Sequence, residues 1–159
     1  MKRVIVMRHG KSQPAHPPES DHSRALETRG RREASEVAAM LVARGWLPDR
    51  AFVSDARRAT ETWEQMAGAF PGVEVHACHD LYVGGGQSAL ERIASAPPEA
   101  VAVLFVGHNP DLERLVAWLS GESVGLGTAN AVLLETNSES WELLAEAGVF
   151  RLVEVLRPR

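Results

Sequence analysis

Cysteine is almost missing from this 159-residue chain. Cys78 is the only one, so no intrachain disulfide can form and the redox compartment is not signalled, although a reducing cytosol is compatible. Long apolar runs are missing too. After Met-Lys-Arg only Val4 to Met7 are apolar, too few for a signal peptide, and no run approaches the roughly 20 residues of a membrane span. A cytoplasmic protein with no membrane partner is expected. There is no basic excess: 17 Lys and Arg stand against 21 Asp and Glu, a net charge of −4, which disfavours nonspecific nucleic-acid binding. Those cations can still cluster in a local pocket. Repeats, low-complexity blocks and Pro/Gly/Ser-rich linkers are also lacking, so residues 1–159 are expected to form one domain. What the chain does have is 45% apolar and 24% charged residues, the balance of a soluble globular fold.

The apolar residues fall in short runs cut by turn signals. Val4-Ile5-Val6-Met7 predicts a buried strand. Residues 10–27 are polar and hold Pro14, Pro17 and Pro18, which predicts a long loop of the kind that often carries function. Thr28 suits a helix cap, Val37, Met40, Leu41 and Arg44 have helical spacing, and Gly45 is the stop. Residues 51–54 predict a second strand. Residues 56–69 predict a helix with Ala59, Trp63, Met66 and Phe70 on one stripe. Pro71-Gly72 breaks it, and Val73 to Ala77 alternate as a strand. Residues 87–95 predict a short helix. Val101 to Val106 is the clearest buried strand, and Pro110 fits the first turn of a helix carrying Leu112, Leu115, Val116 and Leu119 and ending at Gly121. Ala129 to Glu135 and Val149 to Leu156 predict two more strands, with Trp141 to Leu144 as a third, and no helix separates them. The expected class is α/β: a mostly parallel central sheet flanked by helices, with an antiparallel C-terminal edge.

The chemistry lies at three strand ends. Arg8-His9-Gly10 follows the first strand, Ser54 to Arg58 the second, and Gly107-His108-Asn109 the strand at 101–106. Ligand sites of open α/β sheets lie beyond the carboxyl ends of the strands. If these strands are parallel neighbours, Arg8, His9, Arg58 and His108 share one crevice, with helix N-termini adding N–H donors. Two guanidinium forks suit the oxygens of a phosphoryl group. A neutral imidazole is a competent nucleophile near pH 7. Each fragment alone is compatible with an ordinary turn or a solvated arginine; the joint placement after three strands points to phosphate chemistry.

At these residues the chain resembles the histidine phosphatase superfamily, and within it the small SixA-type phosphohistidine phosphatases. The family's Arg-His-Gly is similar to Arg8-His9-Gly10. Its Ser-x-x-x-Arg-Ala segment resembles Ser54-Asp55-Ala56-Arg57-Arg58-Ala59, continuing to Thr62, a register that selects Arg58 rather than Arg57. The second histidine resembles His108 in Val106-Gly107-His108-Asn109-Pro110. Arg24-Ala25-Leu26-Glu27-Thr28-Arg29-Gly30 is similar to a further stretch of the small branch. The resemblance implies a phosphoglycerate-mutase-like fold and phosphorylation of His9, with Arg8, Arg58 and His108 holding oxygens and no metal or organic cofactor. Arg24, Gly10 and Asn109 would extend the substrate pocket. The implied partner is a protein bearing phosphohistidine, or a small phosphate ester, and the expected state is a monomer.

Two departures are Asp55, where the family has proline, and Glu27 in place of a common threonine. A third bears on substrate. Many relatives place a Glu or Asp shortly after the third strand, but Leu81-Tyr82-Val83-Gly84-Gly85-Gly86 holds no acid. An alkoxide leaving group needs a proton, whereas imidazole is far less demanding. The absence favours phosphohistidine over sugar phosphates. Asp80 is the fallback acid, with Glu19 and Asp21 behind it. A phosphate-binding module without turnover would use the same residues but would not need the imidazole beside Arg8. A metal reading of His76-Ala77-Cys78-His79-Asp80 meets an obstacle. A strand there puts His76, Cys78 and Asp80 on one face and His79 on the other, with no second ligand pair. A polar strand edge is expected instead. His16 and His22 are expected as solvated rim residues, and Arg29, Arg31 and Arg32 as a solvated face.

Overall fold

The computed structural model describes residues 1–159. In chain order the elements are β1 (Lys2–Arg8), α1 (Thr28–Ala43), β2 (Arg50–Ser54), α2 (Arg57–Met66), β3 (Glu74–Cys78), α3 (Asp80–Val83), α4 (Gly86–Ala94), β4 (Ala102–Gly107), α5 (Asp111–Ser120), β5 (Ala131–Thr136) and β6 (Arg151–Leu156). The strands form one six-stranded sheet in the order β3-β2-β4-β1-β5-β6. β3, β2, β4 and β1 are mutually parallel; β5 and β6 turn antiparallel at one edge. This is the expected α/β class.

The strand period of two sorts the core onto two faces. Val4, Val6, Val103, Phe105, Val132 and Leu134 face α4 and α5, where they meet Ile93, Leu112, Leu115 and Leu119. Ile5, Met7, Leu104, Val106, Ala131 and Leu133 face α1 and α2, against Val37, Leu41, Trp63 and Met66. Phe105, Ile5 and Leu104 are wholly enclosed, each contributing on the order of 1.5–3 kcal/mol by burial. Central strands covered on both sides read as unbroken apolar runs, which is why β1 and β4 were legible.

The structure corrects three local expectations. Trp141 to Leu144 is a turn, not a strand. Trp141 and Leu144 point inward while Glu142 and Leu143 are exposed, a spacing of three rather than two. The Trp141 indole donates to the Ala100 carbonyl at 2.9 Å, which fixes the turn to the sheet. Thr28 is the first helical residue of α1, and Glu27 takes the cap position with its N–H spent on the Lys11 carbonyl. The helix predicted over 56–69 is α-helical only to Met66 and tightens into a 3-10 turn at Ala67–Ala69. β3 forms as expected, but residues 74–77 are exposed because it is an edge strand. No helix is long and apolar enough to cross a membrane.

Candidate active site

The sheet order decides the site. β2, β4 and β1 are adjacent and parallel, so their carboxyl ends deliver Ser54, His108 and Arg8-His9 to one crevice, with Arg58 on the first turn of α2. The His9 and His108 ring centroids lie 5.1 Å apart. Backbone bonds fix the segment after β1 from two sides. The His9 N–H donates to the Gly107 carbonyl at 3.1 Å, and the Ala129 N–H is shared by the Arg8 and His9 carbonyls. The Gly10 N–H donates to Thr62 Oγ1 at 3.0 Å, and that hydroxyl donates to the Arg58 carbonyl.

His9 Nδ1 lies 2.7 Å from the Gly10 carbonyl oxygen. A carbonyl can only accept, so the imidazole proton sits on Nδ1 and the lone pair on Nε2. Burial pushes the His9 pKa down to about 3; the Gly10 hydrogen bond opposes this, and His108, Arg58 and Arg8 add to it. His108 is pushed down to about 4, chiefly by burial and then by Arg58. Its Nε2 lies 2.7 Å from Ser54 Oγ, which already accepts the Ala56 N–H. His108 Nδ1 is buried and has no protein partner. Both rings are neutral at pH 7.

Two consequences follow for pH. An imidazole of ordinary pKa, about 6.5, would be only about 3% neutral at pH 5. His9 stays neutral there, so protonation of His9 should not reduce kcat/KM between pH 8 and 5 for an activated aryl phosphate. A His9-dependent acid limb near pH 6.5, absent from substrate titration, would contradict this. Below pH 6.5 the unfolded chain binds protons at both histidines while the folded protein does not. Stability should therefore fall as pH drops from 6.5 towards 4 and 3, and the histidine contribution should level off below that.

The crevice holds a cavity of about 230 Å³ lined by Arg8, His9, Lys11, Ser12, Arg24, Arg58, His108, Asn109 and Thr128. Four of these are cations, none is apolar and none is a carboxylate. Arg58, 7% exposed, donates to the Asp21 carbonyl at 2.9 Å and to its carboxylate at 3.1 Å. Asp21 also accepts from Arg24 at 2.8 Å and from the Tyr82 hydroxyl at 2.9 Å. Arg24, then Tyr82 and Arg58, hold its carboxyl well below the ordinary range, so it is ionised and has no proton to give. It is an internal anion paired with Arg58. Asp21→Asn should tighten inorganic phosphate binding by up to about fivefold, the worth of an ion pair whose carboxylate stays in contact with solvent. Unchanged or weaker phosphate binding by calorimetry would show that Asp21 does not compete.

The other sequence-derived residues divide. Arg24 lines the cavity and donates to Ser12 Oγ and the Gln13 carbonyl. Asn109 lines it with Oδ1 buried and unpartnered, its amide held by Leu126 and Glu113. Gly10 is there for close approach: a Cβ would meet the Gly30 carbonyl oxygen at 2.7 Å. Its N–H is spent on Thr62, so it offers no donor to a substrate. Asp80 does not line the cavity; Ser88 and Arg92 hold its carboxylate and keep it ionised. Glu19 is likewise outside, accepting the His16 N–H. The stretch His76 to Asp80 does not gather into a ligand set, because β3 ends at Cys78 and Asp80 opens α3. Ser54 behind His108 and the cavity-wall residues Lys11, Ser12 and Thr128 had no role from spacing alone.

The profile of the histidine phosphatase superfamily (branch 1) matches residues 4–82. An uncharacterised chloroplastic protein of Arabidopsis thaliana is 34% identical over 170 residues, covering 99% of this chain and 78% of its own. The chain belongs to the histidine phosphatase superfamily. It is therefore a phosphatase, and its fold is the phosphoglycerate-mutase-like fold of that superfamily. The crystal structure of an Agrobacterium tumefaciens protein, described as a candidate phosphohistidine phosphatase SixA, is 27% identical, with a TM-score of 0.84 over 99% of this chain and 98% of that one. The protein histidine phosphatase SixA complexed with tungstate is 24% identical, with the same TM-score over 98% and 97%, and supports the fold. A mycobacterial glucosyl-3-phosphoglycerate phosphatase shares the fold at a TM-score of 0.65 and 20% identity, covering 95% and 96%. The superfamily match includes Arg8, His9 and Arg58 but ends before His108; the sheet brings that residue in.

Proposed function

We propose that the protein removes phosphoryl groups from phosphohistidine on a partner protein, through a phosphorylated His9. The observation that carries this reading is the cavity wall: four cations and two neutral imidazoles, without a carboxylate. Nε2 of His9, its lone pair free, attacks phosphorus in line. Arg8, Arg58 and His108 hold the equatorial oxygens and offset the charge of transfer. The P–N bond to the substrate imidazole breaks as the P–Nε2 bond forms; that ring, carrying a proton on its other nitrogen, takes the electron pair and leaves as neutral imidazole, so no general acid is required. Water then attacks phosphorus, the P–Nε2 bond breaks, and inorganic phosphate and neutral His9 are released. No step needs a metal or an organic cofactor.

The protein is read as a monomer acting in the cytoplasm, for which the free, buried Cys78 is suited. The test compares leaving groups. General acids contribute typically 10²–10⁴-fold, so kcat/KM for a phosphohistidine protein should exceed that for sugar phosphates by at least about 100-fold. Sugar phosphates turned over within tenfold of the protein substrate would favour a broad small-ester phosphatase. Phosphate release from neither substrate would leave only a binding module.

A further inference from the structure

Three side chains outside the phosphate cavity converge from three separate segments. His22 lies in the 3-10 turn of the loop after β1, Asp55 follows β2, and His79 follows β3. The parallel pairing of β2 with β3 brings Asp55 and His79 side by side, and the loop lays His22 across them. His22 Nε2 is 2.9 Å from Asp55 Oδ1; His79 Nδ1 is 3.2 Å from Oδ1 and 2.9 Å from Oδ2. All three donor atoms lie within 4.8 Å of one another.

We propose that His22, Asp55 and His79 bind a divalent transition-metal ion of the zinc class at the rim of the phosphate cavity. Two imidazoles and a carboxylate are a donor set for zinc, with metal–ligand distances of about 2.0–2.2 Å. At such distances neighbouring ligand atoms stand about 2.9 Å apart at an octahedral angle and about 3.3 Å apart at a tetrahedral one. The two edges meeting at Asp55 Oδ1 have these lengths. The third edge closes by turning the His79 ring, whose side chain is 64% exposed. Three protein ligands leave a coordination position for water.

The ion would act as a clip. It would tie the loop carrying Asp21 to the ends of β2 and β3, while Tyr82, packed edge-on to His22 at 4.7 Å between centroids, holds the other side of Asp21. His22 and His79 lie outside the cavity wall, so this inference does not depend on the route of phosphoryl transfer.

The test is calorimetric titration of metal-stripped protein with Zn²⁺, alongside thermal unfolding. Wild type and His9→Ala should each bind one equivalent at this site and rise in Tm. His22→Ala and His79→Ala should each weaken that binding by at least about tenfold, since loss of a ligand costs no less than loss of its outer-shell support. The His9→Ala arm separates this site from the His9–His108 pair. Far-UV circular dichroism and the Tm of the stripped variants establish that both fold. Absence of Zn²⁺ binding by wild type would overturn the proposal. So would binding lost in His9→Ala but kept in His22→Ala and His79→Ala.

Discussion

Replacing His9 with alanine is expected to reduce turnover by on the order of 10⁴-fold or more and to abolish covalent labelling. The effect is large because no other group can take the same place. Nε2 is the lone-pair nitrogen of a ring fixed by the Gly10 carbonyl at 2.7 Å, and burial keeps it neutral. The neighbouring imidazole, His108, has its Nε2 engaged with Ser54. The arginines would still hold phosphate, so His9→Ala should bind inorganic phosphate while failing to transfer it. Turnover in His9→Ala within tenfold of wild type would remove His9 from the chemistry.

The second large effect is structural and lies away from the nucleophile. A Cβ on Gly30, in the first turn of α1, would lie 2.3 Å from the Lys11 carbonyl oxygen and 2.8 Å from its nitrogen. Both are backbone atoms and cannot rotate aside. Gly10 and Gly30 meet face to face, so α1 presses on the segment that aims His9. Gly30→Ala should cost about 1–3 kcal/mol, as overpacking does, and should lower activity more than stability alone explains, because Lys11 and Gly10 must move. Gly68→Ala is the control, since nothing lies within 4 Å of its added Cβ. A Gly30→Ala protein with wild-type Tm and activity would contradict the close approach.

The legible part of the fold was the part governed by period and burial. Val4 to Met7 and Ala102 to Val106 read as strands because they are covered on both faces, and their following residues then mark the crevice. Arg8, His9, Arg58 and His108 could be placed together from strand ends alone. The loop over 10–27 has neither period, so nothing in its sequence brings Asp21 onto Arg58 or Arg24 onto Ser12. The place of Asp80 after β3 suits a fallback acid. The structure turns it towards Ser88 and Arg92, whose hydrogen bonds form only when α4 packs. Trp141 misled because its apolar neighbours suit a strand, whereas its indole seeks the Ala100 carbonyl 41 residues away. The approach of His22, Asp55 and His79 depends on three segments and on the β2–β3 register, which no local spacing encodes.

The most direct test of the central claim is to trap the phosphoenzyme with a phosphohistidine protein as donor and map the modified residue. The expected result is one acid-labile, base-stable phosphoryl group on Nε2 of His9, absent from His9→Ala and discharged as inorganic phosphate. An acid-stable phosphoester, a label on another residue, or a label that survives in His9→Ala would contradict it.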